Sequence, residues 1–160
     1  MNIYNNFLPK NKFNIIKKEI MSSYFSWFFN DGIINVPDNY FQFTYCFYEQ
    51  SNNFVDSKIL LLSPILKKLK HKKLRRVKAN LTTRDFKHTE HGMHIDFPKL
   101  PKAKTGIYYI NTSNGYTKFA NGKIVKCEEN KYIEFDSYLK HTGVSCTDEK
   151  RKIVINFNYE

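Results

Sequence analysis

From residue 72 onward, hydrophobic and polar residues of this chain alternate with a period of two. Val77, Ala79 and Leu81 are interleaved with Arg76, Lys78 and Asn80, the pattern of a strand whose two faces meet different surroundings. Short β-prone runs follow at roughly 92–97, 105–111, 116–119, 123–127, 131–136, 140–146 and 151–159. Turn-forming clusters divide them: Ser113-Asn114-Gly115, Asn121-Gly122, Glu129-Asn130 and Thr147-Asp148-Glu149. Upstream the period is helical. Phe13, Ile16, Ile20 and Met21 predict a helix over 9–22, with Pro9 near its start. Leu62, Ile65, Leu66 and Leu69 predict a second over roughly 57–70, in which Pro64 marks a kink or a first turn. Between them, the aromatic run Phe41 to Tyr48 reads as a strand. Two helices followed by a series of short strands predict a mainly β protein, an antiparallel sandwich or jelly roll with helices packed on one face.

The chain has 160 residues, which fits a single domain able to bury a core without disulfide staples. Residues 1–72 form its helical and strand support, and 73–160 form the jelly-roll core that carries the chemistry. Three widely spaced cysteines, with no C-x-x-C, argue against a disulfide framework or a zinc knuckle and fit a reducing, cytoplasmic setting. No apolar run approaches the ~20 residues of a membrane span, and the start MNIYNNFLPKNKF lacks the apolar core of a signal peptide. The net charge of +11, concentrated in KKLKHKKLRRVK (67–78), makes a nucleic-acid partner an alternative to a plain lysine-rich surface.

The run HGMHIDF places His94 and Asp96 two apart, so in a strand both point to one side. A second histidine, His141, lies downstream, with Gly143 two residues further on leaving room beside the imidazole. Two histidines and a carboxylate are the ligand set of a facial-triad iron site. Arg151 follows ten positions after His141 and leads an alternating face of Ile153, Ile155, Phe157 and Tyr159. A guanidinium inside a barrel would grip a carboxylate in bidentate fashion. His88 and His91 precede the first pair and are expected in a loop at the mouth of the site, near substrate.

In this order the elements resemble the 2-oxoglutarate- and iron(II)-dependent oxygenases, most closely the prolyl-4-hydroxylase-like branch and its small stand-alone members. The resemblance rests on H-x-D at His94 and Asp96, on His141, and on the basic residue ten positions later. It also rests on TGIYYINTSNGYTKF (105–119), where Tyr109-Ile110-Asn111 and Gly115, Thr117 and Phe119 match the family's middle block. It spans roughly residues 75–159. The chain departs from the family at Asn114, where a second glycine is common, and at Tyr116, where a glutamate is usual.

The resemblance implies a double-stranded β-helix holding Fe(II) on His94, Asp96 and His141. It implies 2-oxoglutarate bound by Arg151 and the Tyr109 hydroxyl, and O2 as oxidant. The implied reaction hydroxylates a C–H bond, with succinate and carbon dioxide as co-products. A prolyl or other peptidyl side chain is the first candidate substrate, and a free amino acid or small metabolite is the alternative. Base repair is disfavoured, because Ile153 and Phe157 stand where that branch carries asparagine and a second arginine. A basic nucleic-acid-binding protein and a non-oxygenase cupin are the readings from other classes.

Overall fold

The structure, a computed structural model, describes residues 1–34, 38–98, 100 and 102–160. In chain order it forms β1 (Asn2–Tyr4), α1 (Lys10–Ile20), β2 (Phe28–Asn30), β3 (Gln42–Glu49), β4 (Phe54–Val55) and α2 (Ser63–Leu66). The strands β5 (Leu74–Thr83), β6 (Lys104–Tyr109), β7 (Tyr116–Phe119), β8 (Ile124–Lys126), β9 (Tyr132–Asp136), β10 (His141–Val144) and β11 (Arg151–Tyr159) follow.

Antiparallel pairing builds a large sheet in the order β1-β9-β6-β11-β5-β3-β2, with β4 also on β3, and a small sheet β10-β7-β8. This is the expected jelly roll with helices on one face. The helix side of the large sheet buries Phe13, Ile16 and Ile20 of α1 against Val77 and Ala79 of β5 and Ile153, Ile155 and Phe157 of β11. A second apolar cluster, including Ile107, Tyr109, Phe119, Val125 and Phe135, fills the space between the two sheets. Burying large apolar side chains is worth roughly 1.5–3 kcal/mol each, so the two clusters hold both layers in register.

The second helix differs from expectation. Residues Ser57–Leu62 form a 3-10 turn whose entry is capped by the Asp56 side chain accepting from the Lys58 amide, and α2 spans only one turn. Pro64 sits in that first turn, where its missing N–H breaks no helical bond but ends continuity with the segment before it. The expected strand at 92–97 is also absent. Among the described residues that stretch pairs through one isolated bridge, His94 with His141, and Glu90 just before it bridges to Val144. Gly92 turns the chain there at φ +97, a conformation other residues adopt at a cost. The short edge strands β1, β2 and β4 carry too little periodicity to be seen in the sequence.

Candidate functional site

The side of the large sheet facing away from the helices is polar along its two central strands. On β5 it presents Arg76, Lys78, Asn80 and Thr82, and on β11 Lys152, Val154, Asn156 and Asn158, in direct register across the pair. Except for Asn158, these residues line one cavity of about 270 Å³ between the sheets, together with His91, His94, Asp96, Thr117, His141 and Gly143. A buried strand with a polar face signals a lined cavity, because unpaired polar groups are otherwise expelled from a core. Thr82 Oγ1 and Asn156 Oδ1, both on this wall, have no hydrogen-bond partner among the described residues. They are left for a ligand.

At one end of the cavity, the candidate ligand atoms of His94, Asp96 and His141 lie within 4.8 Å of one another. The backbones of His94 and His141 exchange two hydrogen bonds of 3.0 Å, so β10 holds the H-x-D segment in place. Asp96 Oδ2 accepts from Thr105 Oγ1 at 2.7 Å and from Asn158 Nδ2 at 3.0 Å. Oδ1 faces His94 Nε2 at 3.7 Å, with the Arg76 guanidinium 3.6 Å away. The carboxyl side chain is 4% exposed. Burial alone would push its pKa up. The neighbouring His141, the charge of Arg76 and the bond from Thr105 outweigh burial and hold it below the usual range. Asp96 is therefore ionised, as a ligand must be.

His141 is equally prepared. Its Nδ1 lies 3.0 Å from the Leu139 carbonyl, which makes Nδ1 the protonated nitrogen and leaves the Nε2 lone pair toward the cluster. Burial lowers its pKa against the opposing pull of Asp96, so the ring is neutral at physiological pH. Two imidazoles and one carboxylate, with the second partners of Asp96 and His141 already in place, fit a divalent first-row metal.

Of the two basic residues that open β11, Lys152 lines the cavity and Arg151 does not. Arg151 points to the helix side, and its guanidinium donates to the Met21 carbonyl at 2.7 Å, closing the end of α1. The grouping of Arg151 with Ile153, Ile155 and Phe157 is the true parity, but that face is the apolar core. The other face carries Lys152, whose ammonium donates to the carbonyls of Val144 at 2.5 Å and Tyr116 at 3.3 Å. Burial pushes its pKa down to about 8. A Cβ on Gly143 would stand 3.6 Å from this ammonium. Lys152 thus sits beside the residue two along β10 from His141, about 7 Å of strand. A Cβ on Gly115 would come within 2.9 Å of the Lys152 stem and 3.0 Å of the Val144 carbonyl, so the glycine makes room for the lysine.

Arg151→Ala is expected to cost about 1–2 kcal/mol of stability through the lost helix-end bond. Ligand binding in the cavity, which Arg151 does not line, should stay at the wild-type value, which thermal denaturation and calorimetric titration together would check. A large drop in affinity would return Arg151 to the site.

Tyr109 is buried behind the wall. Its hydroxyl is hydrogen-bonded to Thr117 Oγ1 at 2.7 Å, and Thr117 is the residue that reaches the cavity. Burial raises the Tyr109 pKa, which keeps the phenol protonated. His91 lines the cavity; burial and the charge of Lys152 push its pKa down to about 4. His88 points elsewhere, with Nδ1 2.8 Å from the Ser145 carbonyl and its ring tilted against Tyr116. The residues missed by sequence reading are Lys152, Lys78, Arg76, Thr105, Thr117 and Asn158. For Lys152, Lys78, Arg76 and Asn158 the signal was present as polar positions alternating along β5 and β11, while Thr105 and Thr117 lie on β6 and β7.

The described residues contain no helix long and apolar enough to cross a membrane, and the three cysteines are free thiols. No family model and no curated protein sequence matches the chain. Solved structures do. A prolyl hydroxylase of Trichoplax adhaerens, in complex with a hypoxia inducible factor oxygen degradation domain peptide fragment, is similar at a TM-score of 0.69 and 16% identity, covering 99% of this chain and 82% of that one. A prolyl-4-hydroxylase of Pseudomonas putida is similar at 0.66 and 10% identity, covering 99% and 91%. HygX from Streptomyces hygroscopicus, with nickel and 2-oxoglutarate bound, is similar at 0.60 and 10% identity, covering 98% and 81%. The chain shares the double-stranded β-helix fold of these enzymes.

Proposed function

We propose that this chain is an iron(II)- and 2-oxoglutarate-dependent dioxygenase that hydroxylates a C–H bond in a peptidyl side chain, a prolyl ring being the first candidate. One observation carries the reading. The His94–Asp96–His141 cluster and the buried ammonium of Lys152 share one small cavity, the ammonium beside Gly143, two residues or about 7 Å of strand from His141.

Each residue then has a task. Asp96, held ionised by Arg76, Thr105 and Asn158, and His141, held in one tautomer by the Leu139 carbonyl, would bind iron with His94. Bound iron supplies the redox chemistry with O2 that converts 2-oxoglutarate to succinate and carbon dioxide and oxidises the substrate C–H bond. Lys152 receives the far carboxylate of 2-oxoglutarate. Thr117, backed by Tyr109, offers that carboxylate a hydroxyl. His91, uncharged at neutral pH, leaves Lys152 without a competing cation at that end. Ile95, Ile107 and Val154 on the cavity wall exclude water, which strengthens the charge pair. The prolyl hydroxylases that share the fold support a peptide as substrate.

The direct experiment incubates the protein with iron(II), 2-oxoglutarate and ascorbate in air, without a prime substrate, and measures succinate. Slow succinate formation that His141→Ala eliminates is the expected result. No succinate, together with no 2-oxoglutarate binding by calorimetry, would overturn the reading.

A further inference from the structure

Lys78 has no task in the chemistry described so far. It lies at the centre of β5, opposite Asn156 of β11 and Cys46 of β3. Among the described residues, its ammonium makes no hydrogen bond or ion pair. Its neighbour Arg76 is committed: Nε donates to Asn158 at 3.2 Å, the guanidinium lies beside Asp96, and the same group stacks 5.3 Å over the Phe97 ring. Lys78 is therefore the available cation on this stretch of wall.

Its position separates it from the cosubstrate end. Lys152 stands opposite Thr82, and Lys78 is four residues from Thr82 along β5, about 13 Å of strand. A five-carbon diacid anchored between the metal ligands and Lys152 does not need it. Lys78 lies among the charges of Arg76, Glu49 and Asp96, whereas Lys152 lies beside the Cys127 and Cys146 thiols.

Lys78 and Arg76 line both the inner cavity and a second, more open groove of about 660 Å³ between β3, β4 and β5. The groove is walled by Thr44, Asn52, Phe54 and Val55, with Glu49 also lining it. Phe54 is 43% and Val55 61% exposed, so it offers apolar contact to a chain lying along it. The free ammonium at the junction attracts a carboxylate. Glu49 opposes a second one in the groove.

We propose that the prime substrate is a peptide segment carrying one carboxylate side chain, which Lys78 receives where the groove meets the cavity. This names a substrate class for the oxygenase reading and rests on it. The +11 charge of the chain favours encounter with such a segment, and the ammonium at the junction sets its position.

The test uses protein loaded with zinc(II) and 2-oxoglutarate, whose binding is verified first. Two pooled nonapeptide libraries are then titrated, identical except that a fixed position carries Glu in one and Gln in the other. Wild type is expected to retain the Glu pool about 30-fold more tightly. Lys78→Met should abolish that preference, and Lys78→Arg should preserve it. The proposal is overturned if neither pool binds, if both bind equally, or if Lys78→Met keeps the preference. It is also overturned if Lys78→Met weakens 2-oxoglutarate binding as much as peptide binding. Failure of the wild type to bind zinc(II) and 2-oxoglutarate at all would instead bring down the oxygenase reading itself.

Discussion

Lys152→Met is expected to weaken 2-oxoglutarate binding by about 10²–10³-fold while raising the melting temperature of the metal-free protein. Both effects have one origin. The ammonium is buried in the wall with its pKa pushed down to about 8 from 10.5, so holding the charge there costs about 3 kcal/mol at neutral pH. Methionine has similar bulk and no charge. Part of the gain is lost, because the Val144 and Tyr116 carbonyls lose their donor. A net gain of about 1–2 kcal/mol, or a few degrees for a chain of this size, remains. The loss of binding follows from leaving a buried carboxylate unpaired, about 3–5 kcal/mol. Differential scanning calorimetry and ligand titration on the same sample would check both. A variant that loses stability and keeps its affinity would remove Lys152 from the role.

The same group fixes a pH dependence. The folded pKa lies below the unfolded one, so the unfolded chain binds more protons between about pH 8 and 10.5. The destabilisation from Lys152 is present in full below pH 8 and is relieved as pH rises across that window. Cosubstrate affinity runs the other way. It should fall about tenfold per pH unit once the free protein's Lys152 deprotonates, above pH 8.

Asp96→Ala is the second large effect. It removes the only carboxylate of the ligand cluster and the acceptor that Thr105 and Asn158 share. It also leaves the half-buried Arg76 without its counter-charge. Metal affinity should fall by about 10³-fold or more, beyond the 10–100-fold typical of losing a supporting residue. Titration with manganese(II) or cobalt(II) would show it. Wild-type affinity in this variant would dismiss the cluster as a metal centre. Asp96→Asn keeps the shape and isolates the charge.

The jelly roll was legible because β5 and β11 alternate cleanly and turn clusters punctuate the rest. The ligand trio was legible because it is local in sequence at one end and placed by a strand at the other. The sequence expectation fell on Arg151, whereas the basic residue facing the cavity is Lys152. Two basic residues stand side by side at the start of β11, and only the burial of each face distinguishes them. Arg151 shares its side with Ile153 and Phe157, Lys152 with Asn156 and Asn158. In a strand covered on both sides, the polar positions mark the lined cavity, and that rule selects Lys152. The second helix was overextended, because apolar spacing continues through Pro64 although the backbone does not. Tyr109 lies behind Thr117, a layer that parity does not show, since it gives the side of a sheet and says nothing of what lies between a side chain and the cavity.

The bridges that hold His94 and Glu90 to β10 carry one more consequence. The stretch from Thr83 to Lys104 leaves the large sheet at one strand and rejoins it at another; its described residues reach the small sheet through those bridges, the His91 amide on the Gly143 carbonyl, the Glu90–Lys118 ion pair and the His88 ring against Tyr116. An ion held jointly by His94, Asp96 and His141 would close that excursion as a cross-link. It would draw the two sheets together and remove conformations open to the ion-free chain. Metal occupancy then acts as a staple for the wall of the cavity. Amide exchange in this stretch would report it, slowing when the ion binds and quickening when a chelator removes it.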